Sequence, residues 1–107
     1  MRTIEPLHEM LRILRGARGL IENPEGWTKH AYARKETGKW ARVWDKKAAC
    51  FCTVGAILRS GGFHPFFEDA YLALWNDAPG RTHAEVLSAF DEAIASTDRE
   101  IAERGGA

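Results

Sequence analysis

The sequence predicts a compact, mainly α-helical domain of four helices, with an irregular segment or a short β-hairpin inserted between the first two. Apolar residues recur three and four positions apart in four separate segments, the spacing that places them on one face of a helix. Clusters of glycine, proline and asparagine separate these segments. A chain of 107 residues has room for one core, because domains usually contain about 100–150 residues. We therefore expect residues 1–107 to form a single domain.

The first helix is predicted from a long apolar stripe near the start of the chain. Pro6 lies at its beginning, where a residue without a backbone N–H is tolerated, and the turn-forming cluster 23–26 ends it. The stripe consists of Leu7, Met10, Leu11, Leu14, Ala17 and Ile21.

Residues 27–47 form the least regular part of the sequence, in which aromatic and polar residues alternate loosely around a turn-like Glu36–Lys39. This pattern predicts a hairpin with His30–Lys35 and Lys39–Val43 as its arms. An ordered loop is the alternative.

A second helix is predicted over Ala48–Arg59, which has no charged residue before Arg59 and is followed by Ser60, Gly61 and Gly62. A helix that is apolar on all sides is normally buried, so we expect this one at the centre of the fold. It would contain both cysteines, Cys50 and Cys52.

Two further helices complete the prediction. The third opens at Phe63–Pro65, and the fourth at Thr82 and Glu85, which have the spacing of a capping box. Residues 104–107 are expected to fray. The third helix would bury Phe67, Ala70, Tyr71 and Leu74, and the fourth Val86, Leu87, Phe90, Ile94, Thr97 and Ile101.

Composition excludes several classes of function. The formal net charge is zero, which argues against a domain built wholly around nucleic acid. No apolar run reaches the 18–20 residues or so of a membrane span, and the first residues lack the apolar core of a signal peptide. We therefore expect a cytoplasmic protein with reduced thiols.

The charge is distributed unevenly along the chain. Residues 27–47 contain seven Lys or Arg and two acids, a local charge of +5, whereas the residues from 82 onward contain six acids and two Arg. Basic residues interleaved with aromatic ones are typical of a surface that docks an acidic protein, and they can also bind the phosphates and bases of a nucleic acid. The residues predicted to bind a partner are Trp27, Tyr32, Arg34, Lys35, Lys39, Trp40 and Arg42.

The cysteines allow two other hypotheses. A thiol near a helix start can become a nucleophile, and Cys52 with His83 as base and Asn76 as orienting group would form a triad of the Cys–His type. Zinc is the less favoured hypothesis, because Cys50 and Cys52 are spaced too closely, and His64 and His83 too widely, for the usual ligand pattern. We predict no metal and no cofactor, and buried structural thiols remain the simpler interpretation.

Five short motifs span residues 23–28, 31–34, 51–56, 75–77 and 81–86. Together they resemble a family of small bacterial and bacteriophage proteins that is known only as a domain of unknown function. The resemblance covers about Leu7 to Ile94, and its sharpest marks are a Cys-x-x-Gly-Ala core and an Asn-Asp pair before a helix start. On this resemblance Cys52 matches the family cysteine, and Cys50 does not. The family implies no activity, but it does imply a bacterial or phage origin.

The leading hypothesis is therefore a non-enzymatic protein-interaction module, an inhibitor or regulator of host machinery, that binds through its basic and aromatic segment. A cysteine-dependent enzyme and a nucleic-acid-binding module are the alternatives. An exposed aromatic patch is also compatible with a homodimer.

Overall fold

A computed structural model describes residues 5–61 and 69–105, with side chains from residue 71 onward in the second range. Within these residues the chain forms four α-helices and one two-stranded antiparallel sheet between the first and second helices, so the predicted fold class is confirmed. The elements are α1 (Glu5–Leu20), a 3-10 turn (Pro24–Gly26), β1 (Ala33–Lys35), β2 (Ala48–Phe51), α2 (Thr53–Gly61), α3 (Asp69–Asp77) and α4 (His83–Glu103).

Helix α1 is the central element of the core and packs against both α2 and α4. Its predicted stripe is confirmed, because all of its members are buried except Met10, which is half-buried. Ile13 is buried as well and contributes one of the largest fully enclosed side chains. The facing side chains of α4 are Val86, Phe90, Thr97 and Ile101, with Leu87 and Ile94 half-buried beside them, as predicted.

The hairpin has different arms from those predicted. Strand β1 lies inside the first predicted arm, but its partner is β2, with Arg34 opposite Cys50 and Ala33 opposite Phe51. The second predicted arm, Lys39–Val43, is wrong as a strand and makes a single isolated bridge, from Trp40 to Arg34. A bulge between Arg34 and Lys35 disturbs the ladder.

The second helix is correspondingly shorter than predicted, because its first residues form β2. Helix α2 begins at Thr53, so Cys50 lies in a strand and Cys52 lies immediately before the helix. Residues 48–51 are exposed or half-buried except Phe51, whereas Thr53 to Ile57 are all buried. The expectation of a central buried helix therefore holds for the first half of α2.

Gly55 allows α2 to lie directly against the hairpin. A Cβ atom at this position would collide with the carbonyl oxygen of Tyr32 and would lie 2.8 Å from its carbonyl carbon. The backbone of the residue before β1 therefore occupies the space that any other side chain would need. Gly19 in α1 is different, since nothing lies within 4 Å of the corresponding position.

The predicted apolar stripe of α3 is wrong at the two positions that can be assessed. Tyr71 and Leu74 are 65% and 75% exposed, whereas Leu72 and Trp75 pack against the core and Asn76 is fully buried. These three inward residues have helical spacing of three and four, so the helix is rotated to place the Asn76 amide inside. The predicted start at Phe63–Pro65, Phe67 and the side chain of Ala70 lie outside the described residues.

Helix α4 begins with the predicted capping box. The Thr82 hydroxyl accepts a hydrogen bond from the Glu85 N–H at 3.1 Å, and the Glu85 carboxylate accepts one from the Thr82 N–H at 2.9 Å. The hydrogen bonds that the Thr82 N–H and hydroxyl donate to the Glu85 carboxylate, with a smaller contribution from Arg81, hold the pKa of Glu85 below its ordinary value. At the other end Arg104 caps the helix and pairs with Glu100, and residues 106–107 of the predicted frayed tail are outside the described range.

Replacing Gly55 with alanine tests the close approach between α2 and the hairpin. We expect Gly55→Ala to lower the free energy of unfolding by about 3 kcal/mol, because the backbone of Tyr32 has to move. The matched control is Gly19→Ala, which we expect to be neutral or stabilising by up to about 1 kcal/mol. Urea denaturation measures both, and equal effects of the two changes would contradict the described packing.

Candidate functional site

A buried amide fixes the base of the inserted segment. The Asn76 side-chain oxygen accepts hydrogen bonds from the Trp27 indole N–H at 2.7 Å, the Thr53 N–H at 3.0 Å and the Thr53 hydroxyl at 2.8 Å. Its NH₂ group donates to the Thr28 carbonyl at 3.1 Å and to the Asp77 carboxylate at 3.0 Å. One side chain thus joins the start of the insertion, the first turn of α2 and the end of α3.

This network gives structural roles to two residues that the sequence placed in functional sites. Trp27 is half-buried, with its ring 6.0 Å from that of His83 and its N–H committed to Asn76. The Asn76 amide lies wholly inside the fold, because the residue has no exposed surface. Both residues therefore position the insertion.

Cys52 is the N-terminal cap of α2. Its thiol accepts a hydrogen bond from the Gly55 N–H at 3.3 Å, and its carbonyl accepts one from the Ala56 N–H. Burial raises the pKa of the Cys52 thiol above its ordinary value and the charge of Asp77 adds to the rise, against the lowering effect of the N–H donors at the helix start. The Cys52-x-x-Gly55-Ala56 motif is therefore a compact capping arrangement.

The predicted triad is not joined by hydrogen bonds among the described residues. The His83 ring nitrogen Nε2 lies 2.6 Å from the Ile21 carbonyl oxygen, which makes it a donor to the end of α1. Cys52 bonds to its own helix, and Asn76 bonds to the groups named above. A cysteine nucleophile with His83 and Asn76 stays a prediction.

No group of three or more His, Cys, Asp or Glu within residues 5–61 and 69–105 is arranged to hold a metal ion. His64 lies outside these residues. Both thiols are free, with Cys50 half-buried in β2 and Cys52 buried.

Arg34 is an internal clamp of the hairpin. Its guanidinium donates to the Thr28 hydroxyl at 3.1 Å, the Lys29 carbonyl at 3.2 Å and the Gly38 carbonyl at 3.0 Å. It thereby ties the turn around Gly38, which has a positive φ of 88°, to the segment that enters the hairpin. Of the seven predicted partner-binding residues, Trp27 and Arg34 support the surface from within.

A second arginine holds the other side of the insertion. The Arg59 guanidinium of α2 donates to the Val43 carbonyl at 2.6 Å and to the Asp45 carbonyl at 3.1 Å. The Asp45 carboxylate in turn accepts the Lys47 N–H at 2.8 Å. The loop between the bridge at Trp40 and strand β2 therefore has a defined path.

The remaining predicted residues form an accessible surface. Tyr32 and Trp40 are 44% and 65% exposed, Lys39 and Arg42 are exposed, and Lys35 is half-buried. The structure adds Trp44, which is 64% exposed, and the exposed Lys46 and Lys47. These three were absent from the predicted site, although Trp44 is one of the aromatic residues of the segment and the two lysines contribute to its positive charge. We call these eight residues the basic–aromatic surface: Tyr32, Lys35, Lys39, Trp40, Arg42, Trp44, Lys46 and Lys47.

Lysines are concentrated in one place on this surface. All five lysines of the sequence lie between residues 29 and 47. Four of them line a single open pocket of about 580 Å³ together with Glu36, Thr37, Ala48 and Ala49. We call it the lysine pocket: Lys35, Lys39, Lys46 and Lys47.

Comparison with known proteins identifies the family. A model described as a family of unknown function, DUF6197, matches residues 5–74 and 58–96. The chain belongs to the DUF6197 family. No curated protein and no solved structure matches this DUF6197 chain. The resemblance seen in the sequence is thus confirmed at the level of the family.

Within the part of this DUF6197 protein that the structure describes, no helix has the length and apolar character that crossing a membrane requires.

Truncating the buried amide tests the network at the base of the insertion. Asn76→Ala leaves the Trp27 indole and both Thr53 donors without an acceptor, so we expect the free energy of unfolding to fall by about 3 kcal/mol. Asn23→Ala is the matched control, because Asn23 is exposed and its side chain caps no helix; its effect should stay below about 0.5 kcal/mol. Similar losses for both variants, measured by urea denaturation, would contradict the network.

Thiol alkylation tests the assignment of Cys52 as a cap. Because a raised pKa reduces the thiolate fraction at every pH below it, Cys52 should react with iodoacetamide about a hundredfold more slowly than an exposed thiol near neutral pH. The Cys50→Ser and Cys52→Ser variants isolate each thiol, and intact mass follows the reaction. The rate at Cys52 should keep rising with pH. Rapid modification that levels off below about pH 8 would instead favour the nucleophile.

Proposed function

We propose that this DUF6197 protein is a non-enzymatic interaction module that binds an acidic surface of a partner protein through its basic–aromatic surface. The observation that carries the proposal is the exposure of Trp40 and Trp44, which are 65% and 64% accessible on one short insertion. Tryptophan is among the residues that most often dominate protein interfaces, and its exposure in water is unfavourable.

The support beneath these side chains favours recognition by a fixed surface. Arg34 and Arg59 attach the two sides of the insertion through backbone carbonyls, and Asn76 attaches its base. A surface held in this way loses little conformational entropy when a partner binds, which increases affinity.

A protein partner fits the charges better than a nucleic acid does. The excess of positive over negative charge is confined to residues 27–47, and the chain as a whole has no net charge. Nucleic-acid binding generally relies on a broad basic face that neutralises many phosphates.

The same proposal places the protein in the cytoplasm of a bacterium or bacteriophage-infected cell, where it acts as an inhibitor or regulator of host machinery. Two free thiols are in keeping with a reducing compartment.

Paired variants test the proposed surface. Wild-type protein, Trp40→Ala/Trp44→Ala and Tyr71→Ala/Leu74→Ala are each immobilised and exposed to a bacterial extract. The control removes equally exposed large side chains from α3. A partner should be retained by the wild type and the control, and its affinity for the tryptophan variant, measured with purified proteins, should fall about a hundredfold.

Two results would contradict the proposal. One is equal affinity of the partner for the wild type and the tryptophan variant. The other is a wild-type protein that sediments as a dimer while the tryptophan variant sediments as a monomer, since the surface would then join two copies of this chain.

A further inference from the structure

We propose that the lysine pocket is the specificity site of the basic–aromatic surface and that it binds a run of carboxylates in an acidic polypeptide segment. This inference rests on the proposed function and adds the chemistry of the partner. The chain uses its arginines and its lysines differently.

The arginines of the described residues largely serve the fold. Arg15 pairs with Asp98 at 3.2 Å, and Arg18 pairs with Asp91 and Glu22, which links α1 to α4. Arg12 pairs with a carboxylate of its own helix, and Arg81 and Arg104, which flank α4, pair with carboxylates of α4. Arg34 and Arg59, as described above, bind backbone carbonyls.

The pocket lysines are used differently. Within residues 5–61 and 69–105, none of these four lysines forms an ion pair, although Glu36 lines the same pocket. Four like charges around one cavity repel each other. A ligand with several negative groups would relieve this repulsion, whereas a neutral ligand would not.

The pocket is formed before any ligand arrives. On one side, the Lys35 N–H donates to the Lys39 carbonyl at 2.7 Å, and the Gly38 N–H donates to the Lys35 carbonyl at 2.8 Å. On the other side, the bonds of Arg59 and Asp45 fix residues 43–47. The two halves of the positive site therefore have set positions, and only the lysine side chains need to adjust.

The boundaries of the positive charge favour a short peptide over a nucleic acid. The adjoining cavity of about 500 Å³ shares Lys35, Glu36 and Ala49 with the lysine pocket but also contains Glu25. The positive surface therefore ends after a few residues, whereas a nucleic acid carries regularly spaced charges that call for a continuous basic track. A peptide with a cluster of carboxylates, and with a neighbouring apolar side chain against Trp40 or Trp44, matches the extent of this positive surface.

Calorimetric titration with an acetylated octaglutamate amide tests the inference at low ionic strength. The wild-type protein should bind it saturably, more weakly as salt is added, and should not bind octaglutamine. Lys39→Gln/Lys46→Gln should weaken binding about tenfold. The control Arg15→Gln/Arg99→Gln makes the same change in charge on α1 and α4 and should alter affinity less than about twofold.

Three results would overturn the inference. The first is equal weakening by the lysine and arginine variants, which would indicate attraction by net charge alone. The second is tighter binding of a single-stranded oligonucleotide of the same charge, which would assign the pocket to nucleic acid. The third is no binding of octaglutamate. If capture of a partner still depends on Trp40 and Trp44, the proposed function stands without this site. If that capture also fails, both proposals are wrong.

Discussion

The hydrogen-bonded amide of Asn76 is the interaction on which the arrangement of this molecule depends. It is fully buried and gathers donors and acceptors from the insertion, α2 and α3. Burying so many polar groups is tolerated only because each finds a partner, and among the described residues no buried side-chain polar atom lacks one. The inward position of Asn76 sets the rotation of α3, and its bond to Thr28 sets where the hairpin begins.

Asn76 anchors the base of the insertion, and two arginines support the rest of it. The carbonyls of Thr28 and Gly38 are held by Asn76 and Arg34, and those of Val43 and Asp45 by Arg59. The groups that provide this support are buried or half-buried, whereas Trp40, Trp44 and most of the pocket lysines are exposed. Support from within therefore comes from Asn76, Arg34 and Arg59, and the proposed recognition would use other side chains on the outside.

The sequence predicted the long amphipathic helices and the α4 capping box correctly, because period and cap residues are local signals. The predictions from sequence failed where tertiary contacts determine the secondary structure or the buried face. The strand at Ala48–Phe51 was predicted as helix because it is as apolar as the helix that follows, and the cap of α2 is the thiol of Cys52. The face of α3 was misassigned because Asn76 is polar yet buried. The candidate surface was located by charge and aromatic content. The inward role of Trp27 depends on Asn76, 49 residues away, and that of Arg34 on groups up to 6 residues away, and the sequence pattern reveals neither contact.

Asn76, Arg34 and Arg59 attach the insertion to the core, so we expect it to be ordered in the free protein. Amide hydrogen exchange on the isolated protein tests this most directly. We expect the N–H groups of Thr28, Lys35, Ala41 and Cys52, which donate to backbone carbonyls, to be protected nearly as strongly as those of α1. Exchange of these four amides at the rate of an unstructured chain, with α1 still protected, would contradict it.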